Sequence, residues 1–144
     1  MDSNANYVRT QILTASPAQL RALLLQQAVQ SAVRLQEALG SGSREHTNTQ
    51  GQTLRKLVLE LLASLSEQAD PALLKRMRTT LAFLYRRIGD ACAHLDSGAA
   101  AEVAGLLAYE EETWRQVMAR SQTRTDGHDE LRMGSEPGRI NLAG

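Results

Sequence analysis

The sequence predicts an all-α fold: an antiparallel four-helix up-down bundle over residues 16–120, an N-terminal arm over 1–15 and a disordered C-terminal tail over 121–144. Apolar residues recur at alternating steps of three and four in four successive segments, the period of a helix that buries one face. Between these segments stand serine, glycine and Asp-Pro clusters that start or stop helices. The connections are short enough to make neighbours in sequence antiparallel neighbours in space. Contacts in such a bundle are largely local, which favours ready folding.

Size and composition agree with one folded domain. A chain of 144 residues can bury a real core but is short for two domains. Hydrophobic residues at 42% and charged residues at 22% fit a globular protein with polar ends. Sixteen basic residues balance sixteen acidic ones, so no global field draws in nucleic acid or an anionic membrane, while a local patch stays open. Cys92 is the sole cysteine and cannot form an internal disulfide. No basic start followed by an apolar run opens the chain, so the cytoplasm is the expected compartment. No run approaches the roughly 18 apolar residues of a membrane span, and no membrane insertion is expected.

Residues 1–15 are polar and then present Tyr7, Val8, Ile12 and Leu13 ahead of any helix start, an arm that must lie on the body or dangle. Ser16-Pro17-Ala18-Gln19 follows. Ser16 can cap the free backbone donors, Pro17 suits the first helical position, and Gln19 can reach back to complete a capping box. From Leu20 to Leu39 the apolar positions, among them Leu20, Leu24, Leu25, Val29 and Val33, are too many for a single stripe. This helix is central or shares a face with a partner. Gly40 to Ser43 ends it, and the polar run to Gln52 reads as a loop or a frayed turn.

The second helix is expected from about Thr53 to Glu67 with Leu54, Leu57, Val58, Leu61, Leu62 and Leu65 on its buried face and Leu59 outside it. Asp70-Pro71 opens the third. There Met77, Leu81, Leu84, Ile88, Ala91 and Leu95 form a narrow seam, and Phe83 and Tyr85 fall off it. Asp96-Ser97-Gly98 closes this helix. The fourth, about Ala99 to Arg120, is expected to bury Val103, Leu106, Leu107, Trp114, Val117 and Met118, with Glu110 interrupting the seam. From Ser121 the pattern stops and no face is left to bury. Off-seam apolar side chains need a second partner, either another helix of the same protein or another chain.

Chemistry finds little footing. His46, His94 and His128 are scattered, none lies at a ligand spacing from Cys92, and no metal or other cofactor is expected. Cys92 beside Ala91 reads as a small buried residue rather than a nucleophile. Glu110-Glu111-Glu112 reads as a solvated acidic face, since consecutive helical residues point apart. Lys75, Arg76, Arg78, Arg86 and Arg87 allow a nucleic-acid reading, against which stand the neutral net charge and the scarcity of stacking aromatics. No enzyme is expected.

Three stretches in order resemble one family, the bacterial flagellar secretion chaperone FliS. Thr14 to Leu20 resembles that family's TASPxxL opening of the first helix, with Tyr7 as the tyrosine a few residues upstream. Phe83 to Ala91, FLYRRIGDA, is similar to its Tyr-Met-Ile-Arg-Arg-Leu-x-x-Ala segment. Glu102 to Trp114, EVAGLLAYEEETW, resembles its EVxxLLxxLRxTW helix. The departures are Leu25, Gln26 and Gln27 where the family commonly has tyrosine, aspartate and glycine, and Glu110 and Glu111 where it favours leucine and arginine. They bear on which client is bound rather than on the architecture.

The resemblance implies a cytosolic helical-bundle chaperone that binds the disordered C-terminal segment of flagellin, prevents early polymerisation and helps present it to the type III export gate. Recognition would be helix-in-groove, the client folding onto apolar side chains of the bundle. The residues it points to are Tyr7, Ile12 and Leu13 of an arm that fills the groove until the client displaces it, Leu20, Leu24, Leu25, Leu59, Phe83 and Tyr85 of the groove, and Arg86 against acidic groups. Contact with the export gate and the oligomeric state stay open. So do two other readings of the same features: a self-associating helical adaptor and a small nucleic-acid-binding regulator.

Overall fold

In the computed structural model, residues 5–6, 16–65 and 70–143 are described, with side chains through Arg120. They include four long α-helices, α1 (Pro17–Ser41), α2 (Arg44–Ser64), α3 (Pro71–His94) and α4 (Ser97–Ala143), and no strand. The N-terminal arm, with Tyr7, Val8, Ile12 and Leu13, lies outside the described residues, and so does Glu67 at the expected end of the second helix.

Each helix start is written in its cap. At α1, the Gln19 N–H donates to Ser16 Oγ at 3.2 Å and the Ser16 N–H donates to Gln19 Oε1 at 3.0 Å, the capping box that Ser16-Pro17-Ala18-Gln19 predicts. At α3, Asp70 Oδ1 accepts from the Ala72 N–H at 3.0 Å and the Leu73 N–H at 3.4 Å, with Pro71 in the first turn. Gly42 ends α1 at φ 75, a left-handed conformation that glycine adopts without penalty.

The second helix departs from the expected boundary. The polar run read as a loop or a frayed turn is regular helix from Arg44, because Ser43 caps it: its Oγ accepts from the His46 N–H at 3.1 Å. The Thr47 hydroxyl donates to the Ser43 carbonyl at 2.8 Å, so that buried polar group is satisfied within its own turn. Thr47, Gly51, Leu54, Val58, Leu61 and Leu65 are buried in one unbroken helical phase, and only the last four are large and apolar.

The third helix buries Met77, Leu81, Leu84, Ile88 and Ala91 as predicted, each large side chain contributing about 1.5–3 kcal/mol. Leu95, expected as the last member of that seam, is 42% exposed and sits at φ 50. The helix has ended. The Asp96 N–H reaches back to the Ala91 carbonyl at 3.0 Å, and Leu95 takes the left-handed residue of that reversal. Asp96 then starts α4, its Oδ1 accepting from the Ala99 N–H at 3.1 Å, so it begins the last helix as well as following the third.

Long-range contacts fix antiparallel neighbours. Arg21 near the start of α1 reaches Ser64 at the end of α2. Thr47 and Arg55 of α2 meet Cys92 and Tyr85 of α3, and Arg76 and Arg87 of α3 meet Glu110 and Glu102 of α4. Two compact units are present, residues 1–111 and 112–144. The first holds α1 to α3 and the start of α4, where Ala99, Ala100, Val103 and Leu107 are buried. In the second, Trp114 is buried, Met118 is partly so and Val117 is exposed. The backbone of α4 continues as helix to Ala143, across the residues expected as a tail, whose side chains are outside those described.

Candidate functional site

The side chains that the sequence left off the buried seams separate into two sets. Leu24 and Leu25 belong to the core, and Leu20 is half-buried at the start of α1. Leu59 is 49% exposed, Phe83 is 37% exposed, Tyr85 is half-buried and Arg86 is exposed. Tyr7, Ile12 and Leu13 lie outside the described residues.

Leu59 and Tyr85 share the outer seam between α2 and α3. The Arg55 guanidinium lies 4.2 Å from the centroid of the Tyr85 ring, so the Arg55 side of α2 faces Tyr85, and Leu59 follows one turn later on that side. Half-buried Leu62 extends the same side. The stack holds the tyrosine ring against the bundle while Leu59 stays open to solvent.

Phe83 belongs to the other flank of α3. Arg76, Thr80, Phe83 and Arg87 recur at steps of four, three and four, one face of a helix. Both arginines reach α4: Arg87 Nε donates to Glu102 Oε2 at 2.9 Å, and Arg76 Nη2 lies 3.9 Å from Glu110 Oε1. On α4, Glu102, Leu106 and Tyr109 recur on the side turned to that face. Phe83, half-buried Leu106 and Tyr109 thus form an apolar strip bracketed by two ion pairs. Glu110, which breaks the leucine pattern, supplies one of the brackets. Sequence reasoning missed Tyr109, which at 62% is the most exposed of the large apolar side chains described. Its signal was an aromatic one residue outside an otherwise regular seam.

Hydrogen bonding to Glu102 holds the Arg87 guanidinium charged by raising its pKa above the ordinary arginine value. Burial pushes the Cys92 thiol up, against a smaller opposing effect of Arg55, so the sulfur stays protonated and weakly nucleophilic at neutral pH. Its S–H donates to the Thr47 carbonyl at 3.7 Å. Among the described residues no group of three or more His, Cys, Asp or Glu is placed to hold a metal ion. Among them also, no helix is long and apolar enough to cross a membrane.

The described residues thus form a helical bundle whose outer seams carry apolar side chains framed by charge. The chain belongs to the FliS family: the family model for flagellar protein FliS matches residues 1–121. The match spans the capped start of α1, all of α2 and α3, and α4 past Trp114. In general terms membership carries the role of a flagellar chaperone, which is not an enzyme family. A search among curated proteins finds no match.

Proposed function

We propose that this protein is a cytosolic export chaperone that binds the disordered C-terminal segment of flagellin, keeps it from polymerising early and aids its delivery to the flagellar type III secretion apparatus. The observation that carries the reading is the pair of apolar strips, Leu59 with Tyr85 on one flank of α3 and Phe83 with Tyr109 on the other. An unfolded client that coils onto them covers apolar area on both molecules. Ordering that client costs about 2–5 kcal/mol, so several strips must be engaged together. Leu20 and the arm residues Tyr7, Ile12 and Leu13 belong to the same surface in this reading, the arm covering it until the client arrives.

Calorimetric titration of the full chain with the C-terminal peptide of the host's flagellin is the test. Binding at micromolar or tighter affinity with a negative heat-capacity change is expected. Leu59→Glu and Phe83→Glu should each weaken it about tenfold or more, because each buries a carboxylate against the client. A silent titration, or binding indifferent to both substitutions, would overturn the reading.

A further inference from the structure

One charged surface is used neither by the fold nor by the apolar strips. Helix α3 carries five cations, Lys75, Arg76, Arg78, Arg86 and Arg87, and one carboxylate, Asp90. In a chain whose charges balance overall, that is a local concentration. Arg76 and Arg87 turn to α4 and pair there, and Arg87 also lies 3.9 Å from Asp90 Oδ2. Lys75, Arg78 and Arg86 take no part in the ion pairs found among the described residues, and all three are exposed.

These three lie on one stripe. Lys75, Arg78, Ala82 and Arg86 recur at steps of three, four and four, facing away from the buried seam of Met77, Leu81, Leu84 and Ile88. The stripe covers about 16 Å of helix axis. Lys75 and Arg78 are like charges one turn apart, an arrangement that opposes helix formation. At the middle sits exposed Ala82, a small side chain that leaves room for a second helix to approach the α3 backbone closely, with Phe83 beside it as an apolar edge.

From this placement we infer that the outer face of α3 docks an acidic amphipathic helix of a second protein. Its carboxylates meet Lys75, Arg78 and Arg86, a small residue between them sits over Ala82, and its apolar flank covers the edge of Phe83. The cations supply orientation and association rate more than affinity, so the contact is a salt-sensitive one suited to transient hand-over. A polyphosphate backbone fits less well: three cations are few for it, and the chain is neutral overall. The inference rests on the export-chaperone reading only for why a second partner is needed. The face itself is testable without a client.

The probe is a designed amphipathic helical peptide with glutamates on one side and leucines on the other, fluorescently labelled and titrated with the full chain. A control peptide has the same composition in scrambled order. Binding that prefers the patterned peptide, weakens with added salt and falls about tenfold in Lys75→Glu/Arg78→Glu is expected. Both substitutions are at exposed positions, and circular dichroism checks that the helices persist. Equal binding of the scrambled peptide, no effect of the charge reversal, or tighter and more steeply salt-dependent binding of a single-stranded oligonucleotide would each overturn the inference. Failure of the flagellin titration sinks the function and leaves this result standing, whereas failure here leaves that titration untouched.

Discussion

Gly51→Val is expected to destabilise the protein by about 3 kcal/mol or more, and Gly51→Ala by about 1–2, against the roughly 1 kcal/mol that alanine would gain over glycine in an ordinary helix interior. Gly51 is buried against α3, and a Cβ placed on it falls on Cys92 Sγ, well inside van der Waals contact. The next nearest atom, Cys92 Cβ, would be 3.7 Å away, an ordinary contact. The clash is thus with one sulfur atom. Removing it gives the decisive measurement: Gly51→Ala/Cys92→Ala should recover wild-type stability or better, with a favourable coupling of about 1–2 kcal/mol in a double-mutant cycle by urea denaturation. Additive losses would show that the helices are not locked at this point.

Gly51 also explains where sequence reasoning stopped. The period that reveals α2 runs unbroken from Thr47 to Leu65, but its first two members are a threonine and a glycine, and hydrophobic patterning sees neither. In α3 every seam position before Leu95 is large or apolar, and the face was legible in full. Leu95 has the right spacing and the wrong backbone: periodicity cannot tell that the helix stops one residue short and needs a left-handed residue there.

The candidate site was legible to the same degree. Phe83, Tyr85 and Leu59 stood out because the seams beside them were clear. In α1, apolar on several sides, nothing in the spacing separated core Leu24 and Leu25 from exposed Val33. Spacing gives the phase of each helix, but which flank a neighbour covers depends on the ion pairs and the Arg55–Tyr85 stack that turn α3 toward α4 and α2. Tyr109 needed those contacts to be seen as part of a strip.

The second large effect is expected at Arg21, a charged residue that helical periodicity placed on no surface and that is only 4% exposed. Its Nε donates at 3.3 Å to the carbonyl of Ser64, in the last turn of α2, where backbone acceptors lack partners within the helix and the helix dipole is negative. One side chain thus closes the far end of α2 with a donor and a positive charge, and ties it to the first turns of α1. Arg21→Met retains the packing of the stem but removes both functions, and a loss of about 2–3 kcal/mol is expected. Arg21→Ala should lose about 1 kcal/mol more through the space it leaves. Arg21→Lys keeps the charge without the planar donor geometry and should fall between wild type and Met. On a chain of this size each kcal/mol lowers the melting temperature by about 3 °C, so the series is resolvable by thermal denaturation. Because the contact is shielded from solvent, the ranking should hold at high salt, unlike that of the exposed Arg115–Glu112 pair. If Arg21→Met melts with the wild type, the end of α2 is closed by other means and this residue is only filling space.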